Sequence, residues 1–449
     1  MRLTALAVFS VVVCFSGCGP TTTQCGPENC GGCCAADGTC QPGNVATLCG
    51  ASGALCSACS GTDVCEAHVC AAPHCDASNC DGCCTSDGLC HTGDQDAQCG
   101  TGGAICAACD ASQSCQSNAC ATRVDPITAT AETWTWVGFP DSACGNGAAT
   151  GIGVNLTTRS TDVLIYMQGG GACWDSVTCG YLHTATATDT GYTASSFAGD
   201  GTKSAAPFSR ATSTNPFKDM SYVYVPYCTG DVHAGDTVTT YPATTVGTVN
   251  VPETTVHHKG AANMRAYLAR LAVTFPHATR VFVSGSSAGA YGAEFNFAAV
   301  KAAFPNAEVH VLADCGQMIN PAGSLLSTWV SAWNLQVPSG CTGCAADFTK
   351  YPTWLFSTYP QSRFGLLAYT QDGTLSQFFG YSGADFETQT RALLTADYDP
   401  TSNAKYYLVA GNSHVMLGSL NTITNNNVTL LDWTSAFVSG TGWASVNPP

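Results

Sequence analysis

One serine in this sequence has the surroundings of a catalytic nucleophile. Ser287 lies in the run Gly285-Ser286-Ser287-Ala288-Gly289, which fits the pattern G-x-S-x-G. The β-branched and aromatic residues 281–283 predict a short buried strand before it, and the alanine-rich residues 290–304 predict a helix after it. Between a strand and a helix, this pattern holds the serine hydroxyl above the sheet on a tight turn. We therefore predict a nucleophile; the alternative is a small-residue turn without chemistry.

A serine hydroxyl needs a neutral imidazole to accept its proton. Two histidines follow Ser287 along the chain. His310 lies inside the apolar, strand-like residues 309–313, whereas His414 lies in a polar loop just after the strand-like residues 406–409. A loop at a strand end is where a base can reach the serine, so we predict His414 as the base. His257 and His258 precede the serine, and we interpret them as a helix-start feature.

The imidazole in turn needs a carboxylate to orient it. Asp314 ends the first predicted strand after the serine, and Asp372 follows the next one, at residues 364–370. In α/β-hydrolases the acid precedes the base along the chain, and it usually follows the penultimate strand of the sheet. This order favours Asp372 and leaves Asp314 to shape the pocket floor or to cap backbone N–H groups. Three further candidates lie in turn-like sequence: Asp385, Asp397 and Asp399.

A glycine run follows a second predicted strand, at residues 162–168. The run Gly169-Gly170-Gly171-Ala172 leaves backbone N–H groups free to point at an anion, which a tetrahedral acyl intermediate requires. We predict the N–H groups of Gly171, Ala172 and Ala288 as the oxyanion hole, against the alternative of a flexible turn. A later loop carries Asp231 and His233, which would either line a pocket or satisfy backbone groups.

The elements that must position these residues alternate between strand-like and helix-like stretches. This alternation predicts an α/β domain over residues 130–449, α/β-hydrolase-like, with a mostly parallel sheet and flanking helices. This domain has seven cysteines, which is an odd number. One of them is therefore expected to remain free if Cys18 is lipidated and forms no disulfide.

Two small repeats precede this domain, at residues 25–70 and 75–120. Each contains ten cysteines, and every cysteine of the first recurs fifty residues later in the second. The repeats lack Trp, Tyr and Phe, so we expect disulfides to replace a hydrophobic core. Zinc binding is the alternative, because Cys30 and Cys33 have ligand-like spacing. The acidic composition without Lys or Arg suggests a stalk.

The composition also limits the partners and the compartment. The net charge of −16 argues against nucleic acid and anionic membranes as partners, and the 29 cysteines indicate an oxidising, exported setting. Residues 1–18 resemble a bacterial lipoprotein signal that ends at a lipidated Cys18; the alternative is an ordinary secretory signal. We expect an outer-membrane or cell-surface lipoprotein that contacts the membrane only through its lipid anchor, or else a secreted protein.

The motifs together resemble the pectin acetylesterase family from about Trp134 to the C-terminal region, and leave the repeats uncovered. The matching runs are residues 141–147, the glycine loop 168–173 closed by Cys179, residues 226–231 and the G-x-S-x-G run. The resemblance implies a Cys144–Cys228 bridge and supports Asp372 and His414 as acid and base. A tryptophan commonly stands in the family where this chain has Ala172, with Trp174 two positions later.

From these patterns we predict a serine carboxylesterase without a metal or an organic cofactor. The family resemblance implies O-acetylated polysaccharide as the substrate. Two alternatives remain: a non-catalytic adhesion lipoprotein that acts through its cysteine-rich repeats, and a lipase-like enzyme that removes long acyl chains.

Overall fold

The computed structural model describes residues 24–61, 63–72 and 74–449. Residues 1–18, with the predicted signal and Cys18, lie outside this range. The chain divides into two compact units, with the boundary between Arg123 and Val124. Among the described residues, no helix is both long and apolar enough to cross a membrane.

The first unit contains short strands cross-linked by disulfides. Among its described residues, only cysteines and glycines are buried, so the disulfides themselves form the interior. Both repeats have the same connectivity; the first repeat pairs Cys25–Cys34, Cys30–Cys40, Cys33–Cys56, Cys49–Cys65 and Cys59–Cys70, and the second repeats this fifty residues later. The strands are Cys33–Cys34, Cys40–Gln41, Asn44–Val45, Leu48–Cys49, Val64–Glu66, Val69–Ala71, Cys83–Cys84, Cys90–His91, Asp94–Gln95, Gln98–Cys99, Ala104–Ile105, Gln113–Gln116 and Ala119–Thr122.

The second unit is built on one sheet of eight strands, here numbered β1 to β8 in chain order. Their order across the sheet is β1-β2-β4-β3-β5-β6-β7-β8. Strands β3 to β8 are mutually parallel, and β1 and β2 pair antiparallel at one edge. The strands are Thr135–Phe139, Thr150–Asn155, Val163–Met167, Ser221–Val225, Arg280–Ser286, Glu308–Asp314, Phe364–Tyr369 and Ala404–Val409.

Nine α-helices of the described chain flank this sheet. In chain order, α1 to α9 are Ala194–Gly199, Gly260–Thr274, Ala288–Phe295, Phe297–Ala303, Leu325–Trp333, Lys350–Thr358, Gly373–Phe379, Gly383–Leu393 and Leu430–Ser439. Short hairpins pair Thr237–Tyr241 with Thr254–His258, Thr244–Val246 with Val249–Val251, and Thr424–Asn425 with Val428–Thr429. Short 3₁₀ or π turns occupy Val177–Tyr181, Gly201–Ser204, Ala206–Phe208, Leu394–Tyr398 and Leu417–Ser419.

The central strands are buried on both faces, as expected for a parallel sheet covered by helices. Ile165 and Val283 pack into the core on one face, and the intervening Leu164 and Phe282 pack into the core on the other. A continuous apolar run, such as residues 163–167, is therefore what this architecture requires. The α/β-hydrolase-like fold with a mostly parallel sheet and preceding disulfide-rich repeats is confirmed.

Two local predictions were less accurate. The helix predicted over 290–304 is two helices, α3 and α4, separated at Asn296, whose side-chain amide donates to the backbone oxygens of Gly292 and His233. His257 and His258 are the last two residues of a strand, not a helix start, although α2 begins almost directly after them.

Candidate active site

Ser287 lies on the turn between β5 and α3. Its φ of 58° and ψ of −125° are unfavourable for a residue with a side chain. Its N–H donates to the backbone oxygen of Asp314 at 2.8 Å, which helps to hold this conformation. A Cβ on Gly289 would lie 2.0 Å from the oxygen of Met167, so no larger residue fits there. The turn therefore has the close approach and the strained serine that the G-x-S-x-G pattern predicts.

Asp372 and His414 come together at the ends of β7 and β8. Asp372 is fully buried and caps the start of α7, accepting N–H groups from Thr374 and Leu375. Nδ1 of His414 lies 2.8 Å from Oδ2 of Asp372. Because a carboxylate can only accept, Nδ1 carries the proton and Nε2 is left with a free lone pair. The His414 side chain is 19% exposed.

The glycine loop after β3 lies beside the serine. A Cβ on Gly169 would lie 3.0 Å from the Cβ of Ser287. Gly171 has a φ of +78°, and a Cβ there would lie 2.0 Å from the oxygen of Thr184. The loop is fixed by a Cys173–Cys179 disulfide and by a hydrogen bond from Trp333 Nε1 to the oxygen of Cys173. It is therefore a constrained turn and not a flexible one.

A small cavity of about 40 Å³ opens next to Ser287. Three of its lining residues are the predicted oxyanion-hole donors Gly171, Ala172 and Ala288. The remaining wall is apolar and contains seven aromatic residues. The complete lining is Gly171, Ala172, Val232, Ser287, Ala288, Tyr291, Phe295, Trp329, Trp333, Phe348, Leu375, Phe378 and Phe379.

Asp231 and His233 satisfy backbone groups instead of lining this cavity. Asp231 accepts N–H groups from His233, Gly235 and Gly260, and burial raises the pKa of its carboxyl to about 6. Nε2 of His233 bonds the oxygen of Gln168, and burial lowers the pKa of His233 to about 4. The contact of His233 with Gln168 therefore helps to hold the residue that precedes the glycine run.

The other candidate acids have different partners. Ser382 donates to Asp385, Thr353 donates to Asp397, and Tyr406 donates to Asp399. Asp314 is fully buried and accepts N–H groups from Met416 and Leu417, in the loop that carries His414. His310 is buried within β6 and accepts the N–H of Arg363.

One group of potential metal ligands lies inside this site. Single ligand atoms of Cys315, Asp372 and His414 lie within 4.8 Å of one another. A metal ion there would have to displace the proton shared between His414 and Asp372. The cysteines of the similar groups in the repeats form disulfides. Their sulfurs are therefore not thiolates, which is the form that binds zinc.

Cys315 is the residue of this site that the sequence analysis did not identify. It is the free cysteine of the described chain, it is buried, and its sulfur accepts the N–H of Val415. The odd cysteine count predicted a free thiol without saying which one. The signal that would have selected it is its position directly after Asp314 at the end of β6, the strand that pairs with β5 before the serine.

The strand order and the serine turn give the second unit an α/β-hydrolase-like fold. Residues 140–333 match the family model described as Pectinacetylesterase, which supports the family resemblance of the second unit. The Cys144–Cys228 bridge that the resemblance implies is present. No curated protein sequence matches the chain.

Solved structures of the Wnt deacylase Notum from Drosophila share this fold. One crystal form has a TM-score of 0.52 over 70% of this chain and 95% of that chain, and a second has 0.54 over 71% and 96%. Both are 16% identical to this chain, so the likeness concerns the fold. The family match supports a hydrolase that acts on esters.

Proposed function

We propose that this protein is a serine carboxylesterase with Ser287 as nucleophile, His414 as base and Asp372 as the acid that orients the base. The observation that carries the proposal is the hydrogen bond from His414 Nδ1 to the buried Asp372, because it leaves Nε2 as the proton acceptor. The match to the family model supports an ester as the substrate.

The reaction follows from these roles. His414 Nε2 removes the hydroxyl proton as Ser287 attacks the ester carbonyl, and the N–H groups of Gly171, Ala172 and Ala288 stabilise the oxyanion. The imidazolium then protonates the leaving alcohol, and an acyl group remains on Ser287. A water molecule, activated by the same imidazole, releases the acid and restores the serine. Asp372 holds the imidazole tautomer throughout.

The acyl group lies on the apolar side of the site. An acetyl group on a polysaccharide is the substrate that the family description suggests, and its methyl group suits an apolar wall. The seven aromatic residues that line the cavity also favour a second candidate, an ester with a longer acyl chain. A charged acyl group would lose its hydration there without gaining a partner, so we exclude such esters.

Hydrolysis of p-nitrophenyl esters tests both the role of Ser287 as nucleophile and the length of the preferred acyl group. We expect the wild type to hydrolyse p-nitrophenyl acetate. The rate with Ser287→Ala should be lower by about 10³-fold or more. Equal rates in the two proteins would refute the nucleophile. A series from acetate to palmitate then separates the candidates: a maximum of kcat/KM at acetate supports the acetylesterase, and a maximum at a longer chain supports the second candidate.

The disulfides indicate an extracytoplasmic protein, and we further propose that Cys18 anchors it through a lipid. The basis is the short apolar run followed by Ser16-Gly17-Cys18 in the sequence. Expression in a bacterium with an alkyne-tagged fatty acid should label the wild type and not Cys18→Ser. Equal labelling of both proteins would contradict the anchor.

A further inference from the structure

Asp314, the last residue of β6, lies between the serine turn and the loop that carries His414. Its backbone oxygen accepts the N–H of Ser287 at 2.8 Å, and its Oδ2 accepts the hydroxyl of Ser286 at 2.7 Å. On the other side, its carboxylate accepts the N–H groups of Met416 at 2.8 Å and Leu417 at 2.9 Å. One buried residue therefore bonds to both parts of the chain that must meet for proton transfer.

The loop after His414 is held by three consecutive backbone amides. The sulfur of Cys315 accepts the N–H of Val415 at 3.3 Å, and Asp314 accepts the next two. Val415 has a φ of 57°, which is strained for a β-branched residue. Such a conformation persists only where the surroundings enforce it. The side chains of Asp314 and Cys315 supply those contacts.

A hydrogen-bond chain extends this arrangement into β3. Tyr166 donates to the Ser286 hydroxyl, which in turn donates to Asp314. Three donors converge on the Asp314 side chain, and an ionised carboxylate is the form that can only accept. Burial raises the pKa of Asp314, and the hydrogen bonds from Leu417, Ser286 and Met416 oppose that shift.

We infer that Asp314 is a positioning residue that sets the distance and orientation of His414 relative to Ser287. The inference rests on the proposed function. Asp372 fixes the ring through Nδ1, but it does not join the base to the turn of the nucleophile. Asp314 does so through four hydrogen bonds, and it acts on the reaction only through His414.

The test is a double-mutant cycle with p-nitrophenyl acetate as substrate. The variant is Asp314→Asn, which keeps the shape of the side chain and removes one acceptor. The matched control is Asp162→Asn: Asp162 is also buried, and it pairs with Arg280 at the opposite end of β5 from the serine turn. Each variant is made in the wild type and in a His414→Ala background.

In the wild-type background we expect Asp314→Asn to lower kcat about 10- to 100-fold, with KM changed less than about threefold. In the His414→Ala background the same substitution should leave the residual kcat unchanged, because the base that it positions is gone. Asp162→Asn should leave the kcat of each background unchanged. An equal loss from Asp314→Asn in both backgrounds, or no loss in either, would overturn the inference.

Two further outcomes are distinguishable. If Asp314→Asn does not accumulate as folded protein, Ser286→Ala decides, since it removes the hydroxyl that bonds Asp314 and Tyr166 but leaves the bonds from Met416 and Leu417 to Asp314. A fall in kcat that disappears in the His414→Ala background supports the inference, and an unchanged kcat overturns it. If the wild type and Ser287→Ala hydrolyse the ester equally, the proposed function itself has failed, which is established before any Asp314 variant is measured.

Discussion

Oδ2 of Asp372 lies 2.8 Å from Nδ1 of His414, although the two residues are 42 positions apart in the chain. Adjacent parallel strands bring them together, because Asp372 follows β7, His414 follows β8, and both loops emerge at the same edge of the sheet. The carboxylate is also fixed by the first turn of α7. The ring is therefore oriented before any substrate binds.

This pair predicts a large effect of a small substitution. Asp372→Asn keeps an oxygen that can cap α7, but its amide can donate to Nδ1 and so favours the wrong tautomer of His414. We expect kcat for p-nitrophenyl acetate to fall by about 10³- to 10⁴-fold, with KM nearly unchanged. Asp385→Asn, which alters an exposed candidate acid at the start of α8, should have wild-type kcat. Near-normal activity in Asp372→Asn would exclude it as the orienting acid.

The second prediction concerns Gly171. A methyl group there would meet the oxygen of Thr184 at 2.0 Å, and the φ of +78° also disfavours alanine. We expect Gly171→Ala to displace the loop amides and to lower kcat by about 10²-fold, as loss of one oxyanion donor does. Gly199→Ala is the matched control, because nothing lies within 4 Å of its added methyl group. Equal kcat values in the two variants would argue against this loop as an oxyanion hole.

The third prediction concerns a buried carboxyl group that the mechanism does not use. Glu294 lies in α3, its Oε2 has no partner among the described residues, and burial raises its pKa well above the usual value. The folded protein therefore keeps this proton at pH values where the unfolded chain releases it. The stability that depends on the protonated form is present below the unfolded pKa of about 4.5, and it is lost as the pH rises.

Glu294→Gln, which cannot titrate, should therefore gain stability relative to the wild type as the pH rises above about 4.5. The gain should be about 1.4 kcal/mol per pH unit until the folded-state pKa is reached. Urea unfolding followed by tryptophan fluorescence measures it, since the repeats contain no tryptophan. A pH-independent difference for Glu294→Gln would contradict the buried protonated carboxyl.

The fourth prediction is the disulfide connectivity of the repeats. Numbering the ten cysteines of each repeat in chain order, the pairs are 1–4, 2–5, 3–7, 6–9 and 8–10. Mass spectrometry of peptides from the unreduced protein should find these pairs in both repeats, including Cys33–Cys56 and Cys83–Cys106. A different pairing in either repeat, or zinc bound by free thiols, would refute this structure of the first unit.

The sequence predicts the parts of this fold that depend on local pattern. Continuous apolar runs such as residues 163–167 identified strands that are buried on both faces, and the glycines around Ser287 identified the turn. Chain order and placement after predicted strands selected Asp372 and His414, because each strand of a parallel sheet delivers its loop to the same edge. Their catalytic roles remain a prediction.

Other features depend on contacts between distant residues, which no local pattern contains. Asp314 and Cys315 meet residues 415–417 only after β6 and β8 have taken their places in the sheet. The break at Asn296 arises because its side chain bonds His233, which is 63 residues away. The connectivity of ten cysteines is likewise fixed by the folded repeat and not by their spacing.

The central claim is that Ser287 carries the acyl group during turnover. Wild-type protein mixed with p-nitrophenyl acetate and quenched in acid within the first turnovers should gain the mass of one acetyl group, and peptide sequencing by mass spectrometry should place that group on Ser287. Ser287→Ala should gain none and should not turn over the ester. An acetyl group on another residue of the wild type, or full hydrolysis by Ser287→Ala, would contradict the account.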